Sequence, residues 1–281
     1  MLDFRTSSAP PSRAVRRRWW LAAIMVAALL LAGGLLLPTV WSSTTSTPVA
    51  AQPSAPASVA PAPLVASAAP SPEPVTADNA MVLPGPVPTR GSGTFVYAPG
   101  WSKIAGTSGT LRRYQVAVEN GSNEDVVAFA AQVDATLGDA QSWAGLGNLR
   151  LQRVPGTATA SFTVYLATRE TAGRMCATGG VNVTVAGRPY TSCRTTGRAI
   201  INLDRWRLSS RPYIDAKVKL AAYRQYVINH EVGHELGRHH EGCPKRGGPA
   251  PVMVQQTLTL RGCVPYSWPR HNGRPLQGPP V

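Results

Sequence analysis

The chain has 281 residues, a formal net charge of +14, 26 prolines and 26 glycines. This length allows one large domain or two small ones, and the proline and glycine content argues against a chain that is compact throughout. Basic residues are scattered, with isolated pairs such as Arg112 and Arg113, so we expect no nucleic-acid binding. Anionic cell-wall polymers or a membrane surface fit this charge better as partners.

The N-terminal segment has the pattern of a membrane anchor. Residues 1–18 hold five arginines and one acidic residue, and residues 19–40 form an almost continuous apolar run without a charge. A run of about 20 apolar residues can cross a bilayer as a helix. The arginines before it predict a cytoplasmic N-terminus, with the rest of the chain outside. We favour an uncleaved signal anchor, and a cleaved signal peptide that would release a secreted protein is the alternative.

Residues 41–90 consist mainly of Ala, Pro, Ser, Thr and Val, with very few charges. Such a segment cannot bury enough apolar surface to fold, so we predict a disordered stalk. A propeptide that covers the active site is the alternative. The folded domain is expected at 91–270, and a flexible Pro-rich tail at 271–281.

Residues 91–270 carry the patterns of an α+β domain. Alternation at 112–119 predicts a strand, and apolar residues at helical spacing predict a helix over 124–137, capped by Ser122 or Asn123. A second long helix is predicted from Asp215 to Gly237. Four further strands, which bring the expected sheet to five, are predicted at 148–154, 160–167, 181–185 and 197–203.

The sequence from His230 to His240 carries the strongest functional pattern. It reads His-Glu-x-x-His-x-x-Gly-x-x-His, which chance would produce in a chain of this length with a probability on the order of 10⁻⁵. Side chains four residues apart share one helix face, so His230 and His234 can bind one metal ion. Gly237 can adopt the left-handed conformation that ends a helix and brings back His240 as a third ligand. Three protein nitrogens and one open position are typical of catalytic zinc (Zn²⁺), whereas structural zinc has four protein ligands.

The side chains around these ligands differ in their expected roles. Zinc lowers the pKa of a bound water to about 7, and Glu231, beside the first ligand, is expected to accept the water proton as general base. His239 adjoins the third ligand and is an alternative to it, but the spacing favours His240. Glu235 and Glu241 have no comparable position and are predicted to lie on the surface.

This pattern resembles the extended motif of the metzincin clan of zinc metallopeptidases, which is matched in full by His230, Glu231, His234, Gly237 and His240. The resemblance implies a metzincin-like zincin fold: a mixed five-stranded twisted sheet, a helix, an active-site helix and a small irregular C-terminal subdomain. The order of anchor, stalk and Pro-Val-Met segment is also similar to a bacterial family of exported proteins known as a domain of unknown function, DUF3152.

In the metzincin clan a methionine turn lies beneath the three histidines, and Met253 is the implied counterpart here. Some members of the clan have a metal-binding tyrosine two residues after this methionine. The chain has Gln255 at that position, so a tyrosine ligand is not expected there, and Tyr266 is only a weak substitute.

The four cysteines lie in the C-terminal part of the chain, and export favours disulfides over free thiols. The sequence alone allows three pairings. The resemblance implies that residues 181–185 form the edge strand that binds an extended peptide. Sequential pairing would then secure that strand and the methionine turn, at roughly 3 kcal/mol for each closed loop. The implied pairs are Cys176 with Cys193 and Cys243 with Cys263; a zinc ligand at Cys243 is the alternative.

We therefore expect a membrane-anchored zinc endopeptidase outside the cytoplasm, which hydrolyses peptide bonds with a water activated by zinc and Glu231. Its expected partners are a peptide or protein substrate and, through residues 19–40, the membrane. Two alternatives stay open: a zinc amidase or peptidase that acts on cell-wall peptides, and a non-catalytic envelope-binding module on a peptidase fold. No motif indicates a substrate preference.

Overall fold

The computed structural model describes residues 74–281. The predicted cytoplasmic N-terminus, the anchor and residues 41–73 of the predicted stalk lie outside this range. Within residues 74–281 no helix combines the length and the apolar character that a membrane span requires.

A mixed sheet forms the centre of the domain. The main path of the sheet runs β1 (Phe95–Tyr97), β2 (Thr110–Glu119), β4 (Phe162–Ala167), β8 (Arg198–Asn202) and β7 (Cys193–Thr195), and β3 (Leu149–Arg153) pairs with β2. Strands β2, β3, β4 and β8 are parallel to one another, and the short strands β1 and β7 pair antiparallel at the edges. The α+β class and the mixed sheet are confirmed, but within residues 74–281 the sheet has six strands and not five. Strands β1 and β7 were not predicted, because three residues are too few to show the alternation of apolar and polar residues that marks a strand.

The predicted edge strand at 181–185 is wrong. Only β5 (Thr184–Val185) forms there, and it pairs with β6 (Arg188–Pro189) in a separate two-stranded hairpin. Ala186 and Gly187 join the two strands with φ values of 47° and 76°, as a tight hairpin turn requires. The strand at the edge of the main sheet is β7.

Five α-helical segments pack around the sheet in the described residues: α1 (Val126–Gly138), α2 (Arg169–Thr178), α3 (Leu203–Leu208), α4 (Arg211–Asp215) and α5 (Leu220–Glu235). The cap of α1 is Asp125, whose carboxylate accepts from the Ala128 N–H at 2.7 Å, and not Ser122 or Asn123 as predicted. Helix α2 was not predicted because its buried face uses small residues such as Ala172 and Gly173, which leave no apolar periodicity.

Helix α5 lies against β8, α1 and α3, with most of its residues buried. It begins at Leu220, because Lys217 adopts a φ of 56° and separates it from α4, where Asp215 is the last residue and not a cap. No side chain of the described part of the chain caps its first turn. Instead the N–H groups of Leu220 and Ala221 donate to carbonyls of the preceding segment, at Ala80 and Ala77.

Both ends of the folded region extend beyond the expected bounds. Within residues 74–90, assigned to the stalk by composition, Ala77, Leu83 and Val87 pack against the main core. The expected flexible tail forms a hairpin of β9 (Arg270–His271) and β10 (Arg274–Pro275). The Gly242 N–H then donates to Pro279 O at 2.7 Å. Residue composition does not predict that these two segments are folded. Each is attached to the domain by only a few apolar contacts and backbone hydrogen bonds, which leave little trace in composition.

Candidate metal centre

Helix α5 carries two histidines, His230 and His234, whose imidazole rings lie close together on one face of the helix. The ring centroids of His230 and His234 are 4.8 Å apart. Nδ1 of His230 lies 2.8 Å from Val252 O, and Nδ1 of His234 lies 2.8 Å from Arg238 O. A carbonyl can only accept, so each Nδ1 carries the proton and each Nε2 is left as a lone-pair donor. Such backbone partners fix the tautomer and the orientation of a metal-binding histidine.

The turn after α5 brings in the third imidazole. Arg238 N–H donates to Gly233 O at 2.9 Å and Gly237 N–H donates to His234 O at 3.1 Å, the two bonds of a Schellman motif. Gly237 has a φ of 82°, which favours glycine. His240 then lies with Nε2 3.1 Å from Nε2 of His234. His239, the alternative ligand, is exposed and lies outside the cluster of three.

The three histidines fit a zinc ion chemically. One ligand atom of each lies within 4.8 Å of the other two. Nitrogens that bind tetrahedral zinc at about 2.0–2.1 Å are about 3.3 Å apart, close to the separation of the Nε2 atoms of His234 and His240. Because the Nδ1 proton of His234 is committed to a carbonyl, its Nε2 needs a cation or a donor. Three imidazoles with an open side are the donor set of a catalytic zinc site.

The electrostatic environment keeps the imidazoles neutral. Burial, followed by the neighbouring imidazoles, lowers the pKa of His230 to about 3. Burial also lowers the pKa of His234 and, with the charge effect of His234, the pKa of His240 to about 4. Metal ligands must be deprotonated, so this cluster can bind a cation at neutral pH without first releasing protons.

Glu231 is the carboxylate beside the histidines. It is buried, it lines the same cavity, and it forms no hydrogen bond to another residue within 74–281. Burial raises its pKa to about 8. A divalent cation held by the histidines would lower that pKa again, because it stabilises the charged form of the carboxylate.

The segment around Met253 packs against α5, and we call Met253 with Trp143 the floor of this helix. Met253 is buried, and its carbonyl accepts from the Glu241 N–H at 3.1 Å. A Cβ on Gly233 would lie 2.6 Å from Met253 Sδ and 2.7 Å from Trp143 Cζ2. Helix α5 therefore approaches this floor as closely as glycine permits, and the neighbouring Val252 supplies the carbonyl that orients His230.

Sequence reasoning missed a polar group on the same helix. The Asn229 side chain accepts from the Ser142 hydroxyl at 2.7 Å and donates to Ser267 O at 3.0 Å. Its backbone carbonyl accepts from the Trp143 indole N–H at 2.9 Å. These buried bonds attach α5 to the 3₁₀ turn Trp143–Leu146 and to the C-terminal segment. No spacing rule links Asn229 to partners so distant in the chain.

The prediction that Glu235 lies on the surface is wrong, whereas Glu241 is partly exposed. Glu235 is buried and accepts from Arg194 Nε at 2.9 Å and from the Arg198 N–H at 3.0 Å. Glu241 is half-buried and accepts from the Gly278 N–H at 2.9 Å, and burial raises its pKa. Glu235 thus connects α5 to β7 and β8, and Glu241 holds the C-terminal tail.

The cavity beside the histidines has a volume of about 360 Å³. Gln255 lines it, whereas the Tyr266 hydroxyl donates to Arg270 O at 2.7 Å and is not part of the lining. The rim comes from residues 181–183 and 191–194, and the opposite wall includes Tyr226, Thr257 and Leu258.

Both predicted disulfides are confirmed, as Cys176–Cys193 and Cys243–Cys263. The first joins α2 to β7, and therefore fixes the cavity rim. The second closes the segment that contains Met253. No cysteine of residues 74–281 is free, so Cys243 is not a zinc ligand.

The comparisons place the chain in a family. A family model described as "Protein of unknown function (DUF3152)" matches residues 82–266. No curated protein and no solved structure matches the chain. The matched span exceeds half of the 281 residues and includes the three histidines, Glu231 and both disulfides. The chain therefore belongs to the DUF3152 family.

Proposed function

We propose that this protein is a zinc-dependent endopeptidase of the metzincin type, anchored in the membrane by its N-terminal segment, with its catalytic domain outside the cytoplasm. The observation that carries the proposal is the convergence on an open cavity of three neutral imidazoles and one carboxylate that has no hydrogen-bond partner within residues 74–281. The two disulfides support an oxidising compartment, and so a location outside the cytoplasm.

In this proposal the three histidines and Glu231 have different chemical roles. His230, His234 and His240 would hold zinc, which when bound polarises the scissile carbonyl and acidifies water. Glu231 would accept the proton of the attacking water on a carboxylate oxygen and deliver it to the amine nitrogen of the leaving peptide. Its burial strengthens this role, because a carboxylate without protein hydrogen-bond partners is a stronger base than a solvated one.

The strand at the cavity rim supports a peptide as the substrate. Among the residues that the structure describes, β7 pairs with β8 on one side only and is the last strand of the sheet in this direction. An edge strand leaves backbone donors and acceptors available, and an extended peptide can pair with them. Such a peptide would pass directly in front of the histidines, because residues 191–194 line the cavity with them.

The test is the Glu231→Gln variant. It should retain zinc, as measured by metal analysis, because Glu231 is not a ligand. Its hydrolysis of a broad peptide library should fall roughly 10²- to 10⁴-fold, the usual contribution of a general base. Glu170→Gln is the matched control, since Glu170 lies on α2 outside the cavity. Equal cleavage by wild type and Glu231→Gln, or wild-type protein that binds no zinc, would overturn the proposal.

A further inference from the structure

Arg194 is a cavity residue without a role in zinc chemistry. It is the central residue of β7, and its side chain, 36% exposed, lines the cavity with His234 and Glu231. An arginine at this position lies beside the path of any extended peptide that pairs with β7.

The guanidinium of Arg194 is held in one orientation. Its Nε donates to Glu235 Oε1 at 2.9 Å, and the Glu235 side chain is only 3% exposed. The same oxygen accepts from the Arg198 N–H at 3.0 Å, so the carboxylate cannot rotate away without losing a second bond. Neither Nη of Arg194 forms a hydrogen bond to another residue within 74–281. The two Nη atoms each carry an NH₂ group at the end of the guanidinium, and together they can bind a carboxylate through two parallel hydrogen bonds.

The charge around the cavity is unbalanced. Among the described residues, Glu231 is the only carboxylate in the lining, whereas two arginines, Arg194 and Arg238, belong to it. The guanidinium of Arg238 lies 5.7 Å from the Trp143 ring centroid and is in contact with that aromatic ring. Arg194 is therefore the cationic group best placed to contact a substrate side chain.

We infer that Arg194 binds a carboxylate of the substrate close to the scissile bond, so that the enzyme selects peptides with a glutamate or aspartate at that place. The inference rests on the proposed peptidase function for its meaning, because it names the substrate class of that site. The competing explanation is that Arg194 only attaches β7 to α5 through Glu235.

A binding experiment tests the inference without hydrolysis. The probes are two peptides, acetyl-Ala-Ala-Glu-Ala-Ala-amide and its counterpart with glutamine, titrated into the zinc-free protein by calorimetry. We expect the glutamate peptide to bind at least about tenfold more tightly, as a charge-assisted pair of hydrogen bonds predicts, with a preference that weakens in high salt. In Arg194→Gln the preference should disappear, and in Arg194→Lys, which keeps the charge without the fork, it should be intermediate. Arg188→Gln removes an equal charge from the β5–β6 hairpin, outside the cavity lining, and should retain the full preference.

Equal or undetectable binding of both peptides to the wild type would overturn the inference, and so would a glutamate preference that survives in Arg194→Gln. A purely structural Arg194 would lower the thermal stability of the Gln variant without changing the ratio of the two affinities. Cleavage of a peptide library by the zinc-loaded wild type separates the two proposals. Cleavage without enrichment of acidic residues at the cut sites rejects the inference alone, and a glutamate preference in binding without any cleavage rejects the peptidase function alone.

Discussion

Replacing Gly233 by alanine tests whether α5 rests on the methionine floor as closely as the structure indicates. The new Cβ would lie 2.6 Å from Met253 Sδ and 2.7 Å from Trp143 Cζ2, well inside van der Waals contact. The methionine side chain can move, but the indole is fixed by its hydrogen bond to Asn229 O. Gly138, near the end of α1, offers the matched control, because a Cβ there meets no atom within 4 Å.

Two opposing effects determine how much Gly233→Ala changes the free energy of unfolding. Alanine in a helix is favoured over glycine by roughly 0.5–1 kcal/mol. Overpacking of a close-packed contact costs roughly 1–3 kcal/mol, and two obstructed partners, one of them fixed, place Gly233→Ala near the upper end. We expect a net loss of about 2 kcal/mol for Gly233→Ala and a small gain for Gly138→Ala. For a domain of this size, about 2 kcal/mol lowers Tm by roughly 4–8 °C.

Thermal unfolding of the zinc-free variants measures this difference directly. Zinc titration adds a second readout, because displacement of Met253 would also displace the Val252 carbonyl that orients His230. Loss of such a supporting contact weakens metal binding roughly 10- to 100-fold. If Gly233→Ala melts at or above the wild-type temperature, as Gly138→Ala should, the close approach of α5 to the floor is wrong.

Three further predictions follow from the contacts of the domain. A chain that starts at residue 91 should melt several degrees below one that starts at residue 74, because the missing segment buries Leu83 and caps α5; equal melting temperatures would contradict this role. Zinc at about 1,000 times its Kd should stabilise the protein by about 4 kcal/mol, and EDTA or His240→Ala should remove that gain in a thermal-shift assay, whereas a melting curve insensitive to EDTA would reject the site. In the zinc-free protein, burial raises the pKa of Glu231 to about 8. The contribution of the protonated carboxyl group to the free energy of unfolding is therefore complete below its unfolded pKa near 4.5, and it is lost as pH rises through 8. Urea unfolding should therefore show Glu231→Gln gaining stability relative to wild type between pH 5 and pH 8, on the order of a few kcal/mol, and a pH-independent difference would refute this.

Local sequence spacing predicted the parts of the site that lie within one helix and one turn. The positions of His230, His234 and His240 follow from helical geometry and from a glycine with positive φ, so eleven residues suffice to bring them together. Strands β2 and β4 were also predicted, because each has a strand-like residue pattern that extends over six residues or more. The rim strand β7 has three residues and is defined by its pairing with β8, a property that its own sequence does not carry.

Long-range partners account for what sequence reasoning missed. Glu235 reads as an exposed helical glutamate until β7 and β8 are placed against it, because nothing within one helical turn indicates that Arg194 will lie 2.9 Å away. The start of α5 was misplaced for a related reason. Its first N–H groups are satisfied by backbone carbonyls of residues 77–80, and a carbonyl leaves no trace in side-chain composition.

Helix α5 is best described as three adjacent pairs of residues spaced four apart. His230 and His234 face the third imidazole, and the preceding pair, Asn229 and Gly233, packs against Trp143. The following pair, Glu231 and Glu235, divides between the cavity and its rim. Because side chains four apart share a face, rotating α5 to improve one pair would displace the other two. Within α5 the His-Glu-x-x-His motif specifies only the first pair and Glu231, so substitution of Asn229, Gly233 or Glu235 should disturb the candidate metal site although its three histidines are unchanged.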